Sequence, residues 1–294
     1  MYRVTPALAG DREQLDFLTH LHAADLLRAF RLDRAGLLVP LLEALAHIPS
    51  RRLARQVVAF DRLAGSEGLI VAGAWLLERF TRSLQIIGQE HVPPHGPLLI
   101  VSNHPGMVDA MALWVGLQRD DLRVIAAQRE LLDGLPQTCR HLIFVSEESP
   151  GRSGVIRLAA AQLRRGGALL TFPAGSIEPD PAVRRDARTS LTRWATSTAL
   201  FARLAPQTIV LPAVVSGVIS ASAQRNPVIR MLPTQKERDW AAATLQVLLP
   251  SYRDTDTKVV FGAGIPATQL LELGSPDAIN LRVTECVGAL LDQL

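Results

Sequence analysis

The sequence predicts an α/β protein in which a layered mixed sheet is flanked by helices and preceded by an N-terminal helical region. Across residues 88–294, short apolar runs rich in strand formers alternate with longer runs of helical spacing. Residues 1–87 instead carry apolar residues at the intervals of amphipathic helices. Strands separated by helices imply a layered sheet. We therefore expect an amphipathic helical region at 1–87 and an α/β domain at 88–294.

The elements of the α/β domain follow from apolar runs and from the residues that end them. Strands are predicted at 98–101, 122–127, 141–146, 168–172, 208–215 and 258–261. Helices are predicted at 107–117, 154–165, 189–204, 234–249 and from residue 276 onwards. A capping box at Thr234 and Glu237 opens one helix, and Ser275 followed by Pro276 opens the last.

The helical region contains an apolar run, residues 36–48, between predicted helices at 15–30 and 69–87. Arginines flank this run on both sides: Arg28, Arg31, Arg34, Arg51, Arg52 and Arg55. As a helix the run would be about 20 Å long, short of the roughly 30 Å hydrocarbon core. Two interpretations remain open: a helix lying on an anionic leaflet, or a helical subdomain packed on the rest of the chain.

Composition narrows the class of protein. The 294 residues are 48% hydrophobic and 20% charged, with a net charge of only +3, so disorder is excluded and no nucleic-acid partner is expected. Two distant cysteines, Cys139 and Cys286, suggest neither a disulfide framework nor a metal site. With no signal peptide and no apolar run of about 18 residues, we expect a cytoplasmic protein, peripheral on the inner face of the membrane.

A histidine and an aspartate meet where the first strand of the α/β domain gives way to a helix. Pro105 and Gly106 break the strand after His104, and Asp109 falls in the first turn of the helix. A carboxylate that accepts one ring N–H fixes the tautomer and stabilises the imidazolium, so the other nitrogen can act as a base. Alternatively, His104 caps the helix and Asp109 is an ordinary first-turn acid.

These residues carry a family resemblance. The segment Asn103-His104-Pro105-Gly106-Met107-Val108-Asp109 resembles the Asn-His-x4-Asp signature of the glycerol-phosphate and lysophospholipid acyltransferases. Phe172-Pro173-Ala174-Gly175-Ser176 resembles that family's second block, usually Phe-Pro-Glu-Gly-Thr. The resemblance covers roughly residues 88–264 and implies the glycerolipid acyltransferase fold. It also implies catalysis by His104 and Asp109.

The resemblance further implies a set of substrate-binding residues, which are Asn103, Arg129, Arg152, Phe172, Pro173, Gly175, Ser176 and Pro212. Arg129 would face the acceptor phosphate, Gly175 and Ser176 would help to bind it, and Pro212 would shape the acyl pocket. The plainer alternatives are a surface arginine, a turn that orders the sheet edge, and an edge-strand proline.

The chain departs from the family pattern twice. The usual glutamate of the second block is Ala174, and Glu178 lies nearby without being its evident replacement. After the third strand, where the family shows Phe-Ile-Asp-Arg, residues 144–147 are Phe-Val-Ser-Glu, and Arg152 follows a few residues later. Both departures concern recognition of the acceptor.

The chemistry expected from this set is direct acyl transfer. Neither a Gly-x-Ser-x-Gly elbow nor a cysteine with a flanking signature supplies a nucleophile. His104 would act as general base on a hydroxyl of a glycerolipid-type acceptor, such as lysophosphatidate or glycerol 3-phosphate, in phospholipid biosynthesis. Acyl-CoA or an acyl carrier protein would bring the thioester, with no other cofactor. The alternative is a non-catalytic lipid-binding relative.

Overall fold

A computed structural model of the chain describes residues 11–145 and 149–294, with the backbone alone at Asp11, Met107 and residues 149–153. These residues form two compact units. A helical unit comprises the described part of Met1–Arg82 with Arg129–Arg140 and Ile219–Thr255. A sheet unit comprises Ser83–Gln128, His141–Val218 and Asp256–Leu294.

The helices and strands are named here in chain order. The helices are α1 Asp11–Ala29, α2 Val39–Ser66, α3 Leu69–Phe80, α4 Met107–Leu117, α5 Glu130–Asp133, α6 Pro136–Cys139, α7 Ser149–Arg164, α8 Ala187–Ser190, α9 Ser197–Leu204, α10 Ala221–Gln224, α11 Pro227–Arg230, α12 Gln235–Leu248, α13 Ala267–Leu271 and α14 Pro276–Leu291. The strands are β1 Ser83–Ile87, β2 Leu98–Ser102, β3 Arg123–Ala127, β4 Leu142–Val145, β5 Ala168–Thr171, β6 Ile209–Ser216, β7 Asp256–Phe261 and β8 Ile265–Pro266.

The sheet unit is built on one mixed sheet with strand order β1-β7-β6-β2-β5-β3-β4. Strands β2 to β6 run parallel to one another, whereas β7 runs antiparallel to β6 and β1 runs parallel to β7. The two-residue β8 pairs antiparallel with the start of β6. The predicted fold class is therefore confirmed: a layered mixed sheet with helices, together with a helical N-terminal region.

The interior strands are buried on both faces because helices cover the sheet. All five residues of β2 and all four of β5 are buried, as expected for strands at the centre of a parallel sheet. One face packs with Val155 and Leu163 of α7, Phe201 of α9 and Val283 of α14 in a continuous apolar core. Helix α4 lies against β6 and β7. The carboxyl end of β2, which leads into α4, is therefore held by a rigid scaffold.

The helical unit is organised by α1, α2 and α3, which pack against their neighbours in sequence. Polar contacts join it to the two later segments. Arg31, next to the end of α1, pairs with Glu237 in the first turn of α12. The buried carboxylate of Asp61 in α2 accepts hydrogen bonds from the backbone N–H and the hydroxyl of Thr138, each at 2.8 Å. Segments distant in sequence thus belong to one unit, a division that differs from the predicted boundary at residue 87.

Several predicted elements are confirmed closely. Helix α4 has the predicted bounds, and the capping box of α12 forms between Thr234 and Glu237. Ser275 caps α14 through its side chain, which accepts from the Ala278 N–H. Strand β4 is described up to Val145, and residue 146 of the predicted strand lies outside the described residues.

The predicted helix at 69–87 is wrong at its end, because α3 stops at Phe80 and β1 follows. Thr81 has extended backbone angles, and β1 pairs in parallel with β7 along its whole length. Periodicity cannot distinguish strand from helix over a segment of only five residues, Ser-Leu-Gln-Ile-Ile. Pairing with a strand more than 160 residues away decides it instead.

Two other helices have different bounds from those predicted. Helix α2 does not end at residue 48 but continues through Pro49 to Ser66. A buried stripe on both sides of Pro49 outweighs the lost hydrogen bond; it includes Ala46, Leu53, Ala54 and Val57. The predicted helix at 189–204 is α8, a 3-10 turn and α9, interrupted where Trp194 takes extended angles.

Among the residues that the structure describes, no helix is both long enough and apolar enough to cross a membrane.

Candidate functional site

The candidate site is built at the carboxyl end of β2. Asn103 directly follows the strand, and its side chain is buried. Its amide donates to the Val215 carbonyl at 2.9 Å and accepts from the Val215 N–H at 2.8 Å. The side chain therefore extends the pairing of β2 with β6 by one more step, which fixes the direction of the chain as it enters His104. Asn103 thus joins β2 to β6, and its predicted role in binding substrate stays a prediction.

His104 and Asp109 are paired as the sequence predicted. The His104 Nδ1 lies 2.8 Å from the Asp109 Oδ2, with the carboxylate fully buried and the imidazole partly exposed. The same carboxylate accepts from the N–H groups of Gly106, at 2.9 Å, and Ala110. Asp109 thus satisfies the first turn of α4 and holds the imidazole at once. Asp109 therefore acts both as an acid in the first turn of the helix and as the partner of the histidine.

The second block forms a turn that contacts His104. The Phe172 ring stacks on the His104 imidazole, with ring centroids 4.4 Å apart and planes 21° apart. The Gly175 N–H donates to the Phe172 carbonyl at 3.0 Å, and Gly175 has a φ of +64°, which favours glycine. Gly175 and Ser176 are exposed, whereas Pro173 is buried. Gly175 and Ser176 at the tip of the turn are therefore open to solvent, whereas Phe172 at its start packs on His104.

Glu178 is a site residue that the sequence analysis did not assign. Its carboxylate is buried and accepts the His104 backbone N–H at 3.0 Å. Its own N–H donates to the His104 carbonyl at 2.7 Å. The only sign of it in the sequence was an acidic residue four positions after Ala174, and Ala174 stands where the family pattern has a glutamate. Spacing along the chain could not show that it reaches back to His104.

Asp180 is a second buried acid in the same segment that sequence reasoning missed. Its carboxylate accepts from the N–H groups of Gly217 and Val218, at 2.8 and 2.7 Å. These residues directly follow β6. Asp180 therefore ties the segment after the second block to the end of the strand that Asn103 also binds.

Pro212 lies inside the sheet rather than on an edge strand. It is buried in β6 opposite Val101, and its carbonyl accepts from the Gly262 N–H at 2.9 Å. Strand β7 pairs with β6 from residue 213 onwards, and β8 pairs with residues 209 and 210. The missing N–H of Pro212 falls between these two ladders, so it interrupts neither. The edge-strand interpretation is wrong, and the role in an acyl pocket stays a prediction.

The contacts described within the sheet unit do not test the roles predicted for Arg129 and Arg152. Arg129 is exposed and lies in the helical unit, just before α5. The backbone of Arg152 lies in α7, and its side chain is outside the described residues. Their assignment to the acceptor stays a prediction.

The arrangement around His104 suits proton transfer. The carboxylate at Nδ1 selects the tautomer that carries its proton there, so Nε2 is the nitrogen that can accept one.

Two other kinds of chemistry find little support. Burial raises the pKa of the Cys139 thiol to about 11, which disfavours the thiolate that a nucleophile requires. Within the described residues, no three His, Cys, Asp or Glu side chains are grouped to hold a metal ion.

One comparison with known proteins, the match to a family model, bears on the chemistry of this region. Residues 83–216 match the family model described as Acyltransferase, a range that includes both blocks. The comparison with curated proteins gives no match. Among solved structures, the chain is similar to the 1-acyl-sn-glycerophosphate (LPA) acyltransferase PlsC from Thermotoga maritima. The two are 16% identical, with 94% of this chain and 97% of that chain covered and a TM-score of 0.48.

Proposed function

We propose that the chain is an O-acyltransferase of glycerophospholipid synthesis. It moves a fatty acyl group from a thioester to a hydroxyl of a glycerolipid-type acceptor, such as lysophosphatidate or glycerol 3-phosphate. The observation that carries this proposal is the 2.8 Å contact between the His104 Nδ1 and the fully buried Asp109 carboxylate. A module that only binds lipid has no need of a base oriented in this way. The match of residues 83–216 to the acyltransferase family model supports the same class of reaction.

In the proposed reaction His104 is the general base. Its Nε2 removes the proton from the acceptor hydroxyl as that oxygen attacks the thioester carbonyl. The imidazolium that forms is stabilised by Asp109 through Nδ1. The tetrahedral intermediate collapses with cleavage of the carbon–sulfur bond, and the leaving thiolate takes the proton back from Nε2. The products are the acyl ester and a free thiol, and no acyl group passes through the protein.

The acceptor carries the anionic group in this scheme. The exposed turn at Gly175 and Ser176 follows Phe172, whose ring stacks on His104, and it offers backbone and hydroxyl groups to the acceptor. Arg129 and Arg152 would supply guanidinium groups, which pair bidentately with phosphate. The donor is acyl-CoA or an acyl carrier protein, and its thioester is the only co-substrate besides the acceptor.

A membrane surface is the proposed place of action, with the chain peripheral on the cytoplasmic leaflet. On the first part of α2, Leu41, Leu45 and Ile48 share one helical face and are 58–75% exposed. Leu37, just before the helix, is fully exposed. Transfer of each such side chain out of water is favourable by about 1.5–3 kcal/mol of free energy. The exposed arginines that precede and follow this stretch in the sequence would contact anionic headgroups.

The proposal is tested by assaying purified protein with each acyl donor and a panel of acceptors, followed by mass spectrometry of the lipids. The wild type should form an acylated glycerolipid, and His104→Ala should lower kcat by about 10²–10⁴. The intact mass of protein incubated with donor alone should not change. Lipid binding without turnover for any acceptor would refute the enzyme assignment, and an acyl adduct on the reaction path would refute direct transfer.

A further inference from the structure

Both polar backbone groups of His104 are hydrogen-bonded to Glu178, one to its side chain and the other to its backbone N–H. Glu178 accepts the His104 N–H through Oε2 at 3.0 Å, and the Glu178 N–H donates to the His104 carbonyl at 2.7 Å. Both polar backbone groups of the proposed base are therefore bonded to one residue 74 positions away. His104 sits between a strand and a helix, where no regular ladder would satisfy these groups.

Glu178 is itself fixed by two further donors. The Ser190 hydroxyl and the Trp194 Nε1 each lie 2.8 Å from its Oε1. The Glu178 side chain is buried, and a buried carboxylate is costly unless donors surround it. With three donors on its two oxygens, the carboxylate is a rigid bridge between the segment around Trp194 and the backbone of His104.

The segment that carries Glu178 also contacts the imidazole itself. Phe172, at its start, stacks on the His104 ring, while Asp109 holds Nδ1 from the side of α4. The backbone, one ring face and one ring nitrogen of His104 are therefore each set by a different contact. Any change in the backbone angles at His104 would move Nε2 relative to a bound hydroxyl.

We propose that Glu178 is a positioning residue for acyl transfer, which acts by fixing the backbone of His104. This inference rests on the proposed role of His104 as general base. Misplacing a catalytic group by about 1 Å can cost roughly 100-fold in rate. Glu178 therefore contributes to the orientation of the imidazole without touching either substrate.

The sharpest variant is Glu178→Gln, which keeps the size of the side chain. Whichever way the amide is turned, its NH2 group faces a donor: the His104 N–H on one side, or the Trp194 N–H and Ser190 hydroxyl on the other. The variant should lower kcat by about 10- to 100-fold and change the KM of either substrate by less than about threefold. The backbone bond from the Glu178 N–H remains, so the fold is retained.

Asp61→Asn is the matched control. Asp61 is also a buried carboxylate that accepts backbone N–H groups, from Gln137 and Thr138, but it belongs to the helical unit. The two variants should lower the melting temperature by similar amounts, and only Glu178→Gln should lower kcat. Equal losses of kcat in both would assign Glu178 to stability alone and overturn the inference.

A double variant shows whether the effect of Glu178 on the rate depends on His104. In a His104→Ala background, Glu178→Gln should lower the residual rate no further, since its effect passes through the missing imidazole. A further loss of tenfold or more would overturn the inference.

A readout that needs no activity is the downfield proton resonance of the His104 Nδ1–H, identified by its absence in His104→Ala. In Glu178→Gln this resonance should shift or broaden, because the hydrogen bond to Asp109 loses its fixed geometry. An unchanged resonance together with an unchanged kcat would refute the positioning role. If the wild type transferred no acyl group at all, the proposed function would fail, while the resonance would still test the contact between Glu178 and His104.

Discussion

Replacing Asp109 with asparagine tests the histidine–aspartate pair at its buried end. The Asp109 Oδ2 accepts from the His104 Nδ1 and from the Gly106 N–H, and the Oδ1 accepts from the Ala110 N–H. An asparagine oxygen can replace only one of these two carboxylate oxygens. If the amide NH2 faces the imidazole, it selects the tautomer whose Nε2 already carries a proton. If it faces the Ala110 N–H, two donors oppose each other.

Either orientation removes the negative charge that stabilises the imidazolium. A hydrogen bond to a charged group contributes about 1.5–3 kcal/mol, which alone corresponds to roughly 10- to 150-fold in rate. Loss of the correct tautomer adds to this, so we expect Asp109→Asn to lower kcat by about 10²–10⁴. The KM values should change little, because Asp109 is fully buried and does not contact substrate.

The assay is steady-state release of thiol from the acyl donor, with a thermal melt for each protein. Asp121→Asn is the control: Asp121 belongs to the same sheet unit but is about half exposed, and the Arg119 guanidinium holds its pKa below the usual range. That variant should keep the wild-type kcat. A folded Asp109→Asn protein with kcat within about threefold of wild type would refute the role of the carboxylate in catalysis.

Three further changes test the proposed acceptor site, the proposed membrane face and the partly buried His22. Arg129→Ala should raise the KM of an anionic acceptor but not that of the donor, because it removes a charge-assisted contact to one substrate only; Arg282→Ala, an exposed arginine on α14, should change neither. Leu41→Glu should weaken sedimentation with anionic liposomes, whereas Leu281→Glu, at an equally exposed leucine of the sheet unit, should not. Burial lowers the pKa of His22 from 6.5 to about 4. Because the folded value lies below the unfolded one, the stability contributed by neutral His22 is complete above about pH 6.5 and is lost as the pH falls towards 4. The free energy of unfolding should therefore decline over this range by about 3 kcal/mol more in the wild type than in His22→Leu, as measured by urea denaturation.

The contact between His104 and Asp109 could be predicted from sequence because it is local. His104 and Asp109 are separated by one strand-to-helix turn, and a helix begins where proline and glycine break the strand. Backbone geometry then leaves the carboxylate little choice but to lie near the imidazole. Contacts of this kind depend on a few consecutive residues, which a sequence displays directly.

The contacts that support the pair could not be predicted because they join distant segments. Glu178 binds the backbone of His104, and Asn103 binds Val215 more than 100 residues away. The role of Asn103 also depends on which strand lies beside β2. That neighbour is β6, although three strands lie between them in sequence. Sheet order is set by tertiary packing, and no local pattern encodes it.

The errors in secondary structure have the same origin. Strand β1 has too few residues for periodicity to identify, and its pairing with β7 decides its conformation. Helix α2 passes through Pro49 because buried side chains on both sides of the proline outweigh one missing hydrogen bond. In both places a tertiary contact overrides a local preference.

The pH dependence of kcat/KM for the wild type and for His104→Ala tests the central claim most directly. If His104 is the general base, the wild-type rate should rise with pH along a single limb as the imidazole loses its proton. In His104→Ala that limb should vanish, and the rate should fall by about 10²–10⁴. The same limb at a similar rate in His104→Ala would show that another group takes the proton, and the assignment of His104 would be wrong.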